Sequence, residues 1–452
     1  MVDPIVERAV AQADQTDLVC VERGAVTRCP ELFAQCFGDQ PVLLIADERT
    51  WQVAGQAVHD GLRSQGSRLA EPLVFPGSPT LYASLDNARR IATAIREADQ
   101  ASGAVVVPVA VGAGTLNDLV KLAAQETDRR YAVVGTAASM DGYTGSGAPI
   151  SDQGVKVTLN CVAPQVVIFD LDVAAAAPKN MVASGYGDLS AKIPGGADWL
   201  LADAVGVEPL HQEAWQLVQS GVRSALSRPE ALAAGEPEAY QGLVDGLVLS
   251  GLAMQVYGGT RPASGAEHYF SHIWELAHLG AEHDPPLSHG AKVAIGTLAM
   301  LAFYERFLAR DVAALDVDAA IARWPQWEQV EADIRQTFEG PLAEHAVKET
   351  KVKYLDPQQL RSRLARLVEG WPLTRQRLVE QLVPAREFQH MLRLSGAPSR
   401  PEDIGLTSQD VRATFPKAMY YRSRYTVLDV AREAGWFEEL VEETFAPGVL
   451  WD

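Results

Sequence analysis

Between Pro41 and Asp170, short runs of apolar residues alternate with stretches of helical period, and beyond Pro178 the runs all but stop. This alternation limits the fold more than any other feature. Pro41–Ala46 (PVLLIA) is apolar at every position and too short for a helix, the pattern of a strand buried on both faces of a parallel sheet. Helical periodicity follows from about Thr50 to Ser64. Leu73–Phe75 is a second strand. Leu85–Ala101 is a helix with Ala88, Ile91, Ala92 and Ile95 on one side. Val105–Val111 is a third strand, Leu116 to about Gln125 a helix, and Tyr131–Gly135 a fourth strand. Pro108 has no N–H to donate, so a full ladder is not expected in the third strand. Strand, helix, strand in this order predicts parallel pairing through right-handed crossovers. Val155–Asn160 and Val166–Asp170 are two further strands.

From Pro178 to the C-terminus the apolar residues recur with helical period. Breaks are expected at Gly195-Gly196, Gly258-Gly259, Asp284–Pro286, Gly340-Pro341, Gly396–Pro398 and Pro416. A chain of 452 residues is too long for one ordinary core. The expected architecture is therefore a Rossmann-like α/β domain over residues 1–177 and an all-helical domain over 178–452. The net charge of −19 argues against nucleic acid or an anionic membrane as partner. Cys20, Cys29, Cys36 and Cys161 form no close-spaced pair and suggest no disulfide framework, which fits a reducing cytoplasm. No apolar h-region marks a signal peptide at the N-terminus, and no apolar run reaches the length of a membrane span.

The chemistry gathers in Gly265–Gly290, which holds five of the nine histidines. His268 and His272 are four apart and share one helix face, with Glu267 and Glu275 flanking them. His289 opens a new helical pattern after the turn at Asp284-Pro285-Pro286. Two helices joined by that turn could aim His268 and His289 at one point. A histidine pair at this spacing is common on ordinary helices, and the stretch has no cysteine for a zinc finger. A metal site here needs a ligand from elsewhere, as open catalytic sites with nitrogen and oxygen ligands do.

Other segments carry weaker signals. Gly112-Ala113-Gly114-Thr115 lies between a strand and a helix, where glycines let a phosphate approach the helix N-terminus. Thr115 and Asp118 equally have the spacing of a helix cap with an acidic third residue, and GxGxxG is not met because residue 117 is Asn. Asp47 ends the first strand, where a carboxylate can bind ribose hydroxyls and disfavours a 2′-phosphate; by itself it reads as an exposed strand end. Thr136–Tyr143 puts hydroxyls and Asp141 after the fourth strand, where parallel sheets bind ligands. Asp188 and Lys192 read as a surface ion pair or, alternatively, Asp188 as the oxygen ligand that the histidines lack.

GAGTLNDLVK (Gly112–Lys121), TAASMDGYTGSGA (Thr136–Ala148), SGYGDLSAK (Ser184–Lys192), SGAEHYFSHIWE (Ser264–Glu275), HGAKVAIG (His289–Gly296) and the terminal YYRSRYTVLD (Tyr420–Asp429) follow in order. Together they resemble the sn-glycerol-1-phosphate dehydrogenases, especially the bacterial branch, of the dehydroquinate synthase-like and iron-containing alcohol dehydrogenase superfamily. The resemblance runs from about Pro41 to Gly435. It implies a divalent metal, zinc or nickel, on Asp188, His268 and His289. It implies substrate contacts by His272, Asp141 and Asp188. It implies a nicotinamide cofactor, NAD with NADP as the alternative, held by Asp47, by Gly114, Thr115, Leu116, Asn117 and Asp118, and by Thr136, Ala137, Ala138 and Ser139. The implied reaction is hydride transfer from NAD(P)H to dihydroxyacetone phosphate, giving sn-glycerol 1-phosphate, in a cytoplasmic homodimer with a place in lipid metabolism. Lys192 is expected to contact the substrate phosphate from one turn beyond Asp188. The family's usual cofactor-contacting serine is Gly145 here, with Ser146 beside it. A glycerol or polyol dehydrogenase and a dehydroquinate synthase-like cyclase are the alternative readings of the same parts.

Overall fold

The structure, a computed structural model, describes residues 4–152 and 155–451. Eight strands are present among them: β1 (Leu18–Glu22), β2 (Val42–Asp47), β3 (Leu73–Phe75), β4 (Val107–Gly112), β5 (Ala132–Gly135), β6 (Ala148–Asp152), β7 (Val155–Leu159) and β8 (Val166–Asp170). Six of them form one sheet in the order β1-β8-β5-β4-β2-β3, and every pair in it is parallel. β6 and β7 form a separate antiparallel hairpin. Two strands have no counterpart in the sequence expectations. β1 lies at the sheet edge beside β8, and β6 is too polar to read as a buried strand. The α/β-plus-helical fold class stands as expected.

The sheet is buried on both faces, which is why its strands are apolar at consecutive positions. One face sets Leu44, Ala46, Val109, Val134 and Ile168 against the helices Cys29–Phe37 and Gln56–Ser64. The other sets Leu43, Ile45, Ala110, Val133 and Val167 against α1 (Leu85–Ser102) and α2 (Gly114–Glu126). Pro108 sits inside β4 in register with Leu43. Val107 donates its N–H toward β2, at Pro41. Alternation therefore turns the nitrogen of Pro108 toward β5, whose pairing with β4 begins one residue later at Val109 and Ala132. The missing donor faces a place where no acceptor is needed.

The helices that matter for the site are α3 (Lys179–Ser190), α4 (Lys192–Ala204), α5 (Pro237–Tyr257), α6 (Ala266–Leu276), α7 (His289–Leu308) and α8 (Ser408–Tyr421). α7 is buried along most of its length. It packs on α3 and α6, so its sequence is apolar all round rather than amphipathic.

Two expected breaks are not breaks. Gly195-Gly196 lies within α4 and serves close packing: a Cβ on Gly195 would come within 3.1 Å of the Gly265 nitrogen. Pro416 lies within α8. Its neighbour Phe415 is wedged against Phe270 and Phe303, with ring centroids at 4.8 and 5.4 Å, and tertiary packing holds the helix through the proline. The expected breaks at 258–259, 284–286, 340–341 and 396–398 do fall at helix ends or loops.

Candidate metal and nucleotide site

The metal geometry depends on how closely α3 and α7 approach. A Cβ on Gly187 would lie 2.3 Å from the Gly290 oxygen, and one on Gly290 would lie 1.9 Å from the Ser184 oxygen. Only glycines permit that contact, and it puts Asp188 of α3 beside His289, the first residue of α7. α6 supplies His268 and, one turn on, His272. Asp188, His268 and His289 each direct one ligand atom to a common point, all within 4.8 Å of one another. The Asp188 Oδ1 is 3.6 Å from His268 Nε2 and 4.0 Å from His289 Nε2.

The donor set suits a divalent cation. Asp188 is fully buried, its Oδ2 accepts the Asp141 N–H at 2.8 Å, and its Oδ1 takes no hydrogen bond. A buried carboxylate oxygen without a donor is costly unless something positive faces it. Two imidazoles and one carboxylate leave room for further oxygen ligands. Burial works to raise the Asp188 pKa, but the Lys192 charge and the two imidazoles outweigh it and hold the carboxyl below its usual range.

Each of the two converging histidines is backed by a carboxylate. His268 Nδ1 lies 2.9 Å from Glu267 Oε1, and His289 Nδ1 lies 2.8 Å from Glu275 Oε1. These partners hold Nδ1 as the N–H and turn Nε2 to the metal position. Burial lowers the His268 pKa, but the Asp188 and Glu267 carboxylates beside it prevail and push it up to about 9. His272 completes a cluster of three rings, 5.9 Å from His268 and 6.1 Å from His289. Its Nδ1 is buried and unpartnered, and burial holds its pKa well below the ordinary value. His278 and His283, in the same histidine-rich stretch, lie on the loop after α6 and are exposed.

Lys192 is not where the sequence suggested. It is not a solvated surface partner of Asp188. Its ammonium is fully buried, 2.7 Å from Asp141 Oδ2 and 3.8 Å from Asp188 Oδ1, and it donates to the Asp188 carbonyl. Burial opposes its charge, but Asp141 and Asp188 raise its pKa on balance. Asp141 Oδ2 also accepts from Ser250 Oγ at 2.8 Å. Ser250 comes from α5 and had no signal in the sequence.

The nucleotide candidates surround the place where the strand order reverses, between β2 and β4. Such a crevice is where open parallel sheets take ligands. Asp47 ends β2, Gly112 ends β4, and Thr136, just past β5, donates its N–H to the Gly112 carbonyl. Asp47 caps the short helix that follows: its Oδ1 accepts the Thr50 N–H at 2.8 Å. Thr115 is not a cap. Ala113 holds that position without a side-chain bond, so the first-turn N–H groups of α2 remain for an anion. Gly114 packs on Met140, which ties this turn to the 136–143 loop.

Leu116, Asn117 and Asp118 face inward. Asn117 accepts from Tyr131 and donates to the Gly142 carbonyl, and Asp118 lies 3.5 Å from Lys121. Ala137 and Ala138 are buried, and Ser139 lies 3.3 Å from the Tyr143 hydroxyl. The Ser139 carbonyl accepts from Ser184 of α3, so the loop bridges the crevice to the candidate metal site. Gly145 is buried, and a Cβ there would meet Met254 at 2.8 Å; Ser146 is half-buried.

Residues 20–178 match the model of the iron-containing alcohol dehydrogenase family. The glycerol-1-phosphate dehydrogenase [NAD(P)+] of Halalkalibacterium halodurans is 34% identical over 293 residues, 64% of this chain and 71% of that protein. The enzyme of that name from Geobacillus stearothermophilus is 29% identical over 388 residues, 86% of this chain and 85% of its own. Among solved structures, a probable glycerol dehydrogenase from Sinorhizobium meliloti superposes with a TM-score of 0.59 at 16% identity, covering 96% of this chain and 98% of that one. An NADH-dependent butanol dehydrogenase from Thermotoga maritima gives 0.56 at 16% identity, covering 96% and 97%.

Proposed function

The chain belongs to the family of the glycerol-1-phosphate dehydrogenases, and from that premise we propose that it reduces the ketone of dihydroxyacetone phosphate with NAD(P)H to give sn-glycerol 1-phosphate. The observation that carries this reading is the convergence of Asp188 Oδ1, buried and without a hydrogen-bond donor, with two carboxylate-backed histidines. These three residues would hold a divalent ion, zinc or nickel, which would supply Lewis-acid polarisation of the ketone oxygen.

The chain's own residues supply the rest. Asp188 and Asp141 fix one edge of the substrate pocket, with Asp141 held by Ser250 and Lys192 so that its Oδ1 is left to accept a substrate hydroxyl. That contact selects which face of the ketone meets the nicotinamide. Lys192 is a positioning residue: its charge keeps the Asp188 carboxylate ionised and holds Asp141 in place. His272 has an unpaired Nδ1 at the edge of the ligand cluster, suited to bond a substrate hydroxyl and to pass a proton. The α2 N-terminus from Gly114 to Leu116 takes the pyrophosphate. Thr136–Ser139 lies along the cofactor, and Asp47 Oδ2 takes a ribose hydroxyl, which favours NAD over NADP. In this reading residues 1–177 bind the nucleotide and 178–452 carry metal and substrate. The cytoplasmic homodimer and the place in lipid metabolism rest on the family resemblance.

The test is NADH absorbance after adding dihydroxyacetone phosphate to metal-stripped protein, and again with zinc or nickel restored. Metal-dependent oxidation with the 1-phosphate, not the 3-phosphate, as product is expected. No oxidation with either metal and with NADPH also tried would sink the substrate assignment.

A further inference from the structure

Arg422 follows α8, in a stretch that neither the metal site nor the nucleotide crevice uses. We propose that Arg422 binds the phosphate group of the substrate, an inference that rests on the phosphorylated-ketone reading.

The argument begins with Tyr421, the last residue of α8. It is buried, and its ring centroid is 6.0 Å from that of His272. The Arg422 Cζ sits 5.3 Å from the same ring. One aromatic side chain therefore joins the substrate-side histidine to a guanidinium, whose positive charge reaches the His272 imidazole. The backbone at 422 is extended, so the side chain leaves the helix. The next residue is pinned: Ser423 donates both its N–H and its hydroxyl to Glu349 Oε2, at 2.8 and 2.7 Å. The aim of Arg422 is thus set from two sides, by the Tyr421 ring and by the Ser423 anchor.

Its donors are open. Among the described residues the Arg422 guanidinium takes part in no hydrogen bond and no ion pair, and the side chain is exposed. The other cations near the site have committed theirs. Lys192 is paired with Asp141, Lys121 donates to the Gly142 and Gly147 carbonyls, and Arg424 donates to Ser264 and Thr260. A planar guanidinium resting on an aromatic face matches a phosphate with two parallel N–H bonds. The charge argument agrees. Asp141, Asp188, Glu267 and Glu275 surround the metal position in a protein of net charge −19. A phosphate dianion needs a cation on its own side of the pocket, and the buried Lys192 cannot serve.

Arg422→Ala and Arg422→Lys decide the matter, assayed with dihydroxyacetone phosphate and with unphosphorylated dihydroxyacetone. Metal content and melting temperature of each variant are measured alongside. In Arg422→Ala, KM for the phosphorylated substrate should rise at least about tenfold more than KM for dihydroxyacetone, and inhibition by inorganic phosphate should weaken in step. The lysine variant should fall between. An equal effect on both substrates, or none on either, overturns the proposal. If the unaltered enzyme acts on dihydroxyacetone alone, the phosphorylated-ketone reading has failed. Calorimetric titration with inorganic phosphate then decides: a site lost in Arg422→Ala sustains the contact, and no binding by the unaltered protein overturns it.

Discussion

Lys192 Nζ stands 2.7 Å from Asp141 Oδ2, with the lysine side chain closed off from solvent. The pair joins the start of α4 to the loop after β5 and lies directly behind Asp188, the candidate metal ligand. Removing one partner of a buried pair leaves the other charge uncompensated. Lys192→Ala should therefore cost about 3–5 kcal/mol of stability, read as a lowered denaturant midpoint. The double variant Lys192→Met with Asp141→Leu should lose much less stability, although it loses activity. Equal losses in the two variants would show that the pair is not the source.

The carboxylates behind the histidines should set metal affinity. Glu267→Gln and Glu275→Gln each lose the charge that holds and orients the imidazole. A decrease of about 10–100-fold in metal affinity is expected for each, measured by competition with a chelating dye. Glu267 is fully buried, so its variant should show the larger drop. An unchanged dissociation constant would count against the role.

Asp198 gives stability a pH dependence of known sign. It is fully buried and accepts from Ala266 N–H, Val427 N–H and the Tyr304 hydroxyl. Burial, and then the nearby Glu267 charge, push its carboxyl up to about 7 from 3.8. The folded protein thus holds this proton more tightly than the unfolded chain. Its contribution is full below pH 3.8 and is lost as pH rises through about 7. Asp198→Asn cannot ionise and lacks one acceptor, so it should be less stable than the parent at pH 5. By pH 8 that gap should narrow. Denaturant unfolding at the two pH values is the measurement; a constant gap would contradict the assignment.

Gly290 tests the packing that brings Asp188 to His289. A methyl group there would strike the Ser184 carbonyl, and helix backbone cannot yield as a flexible side chain can. Gly290→Ala should cost about 1–3 kcal/mol or more and weaken metal binding in the same variant. A variant with parental melting temperature and metal affinity would mean that α3 and α7 can separate at no cost.

Much of this was legible in the sequence because it is local. Apolar runs such as Val42–Ala46 and Val166–Phe169 carry their own evidence of double-sided burial. His268 and His272 share a helix face by spacing alone, and the ordered motifs pointed to the family. The partner of Lys192 was not legible. The i, i+4 spacing offered Asp188, while the closer contact, Asp141, comes from a loop about fifty residues earlier. The edge strand β1 and the uninterrupted α8 were also hidden, since both depend on neighbours distant in the chain.

The sequence by itself determined the periodicities, the histidine set and the glycines, because each is a property of a few consecutive residues. Tertiary structure alone decided which charges are buried and what they face. It placed the Asp188 carboxylate between two imidazoles, committed Lys192 to Asp141, and left the Arg422 donors open. Burial and partner are set by segments that converge from far apart in the chain, and no local pattern encodes that convergence.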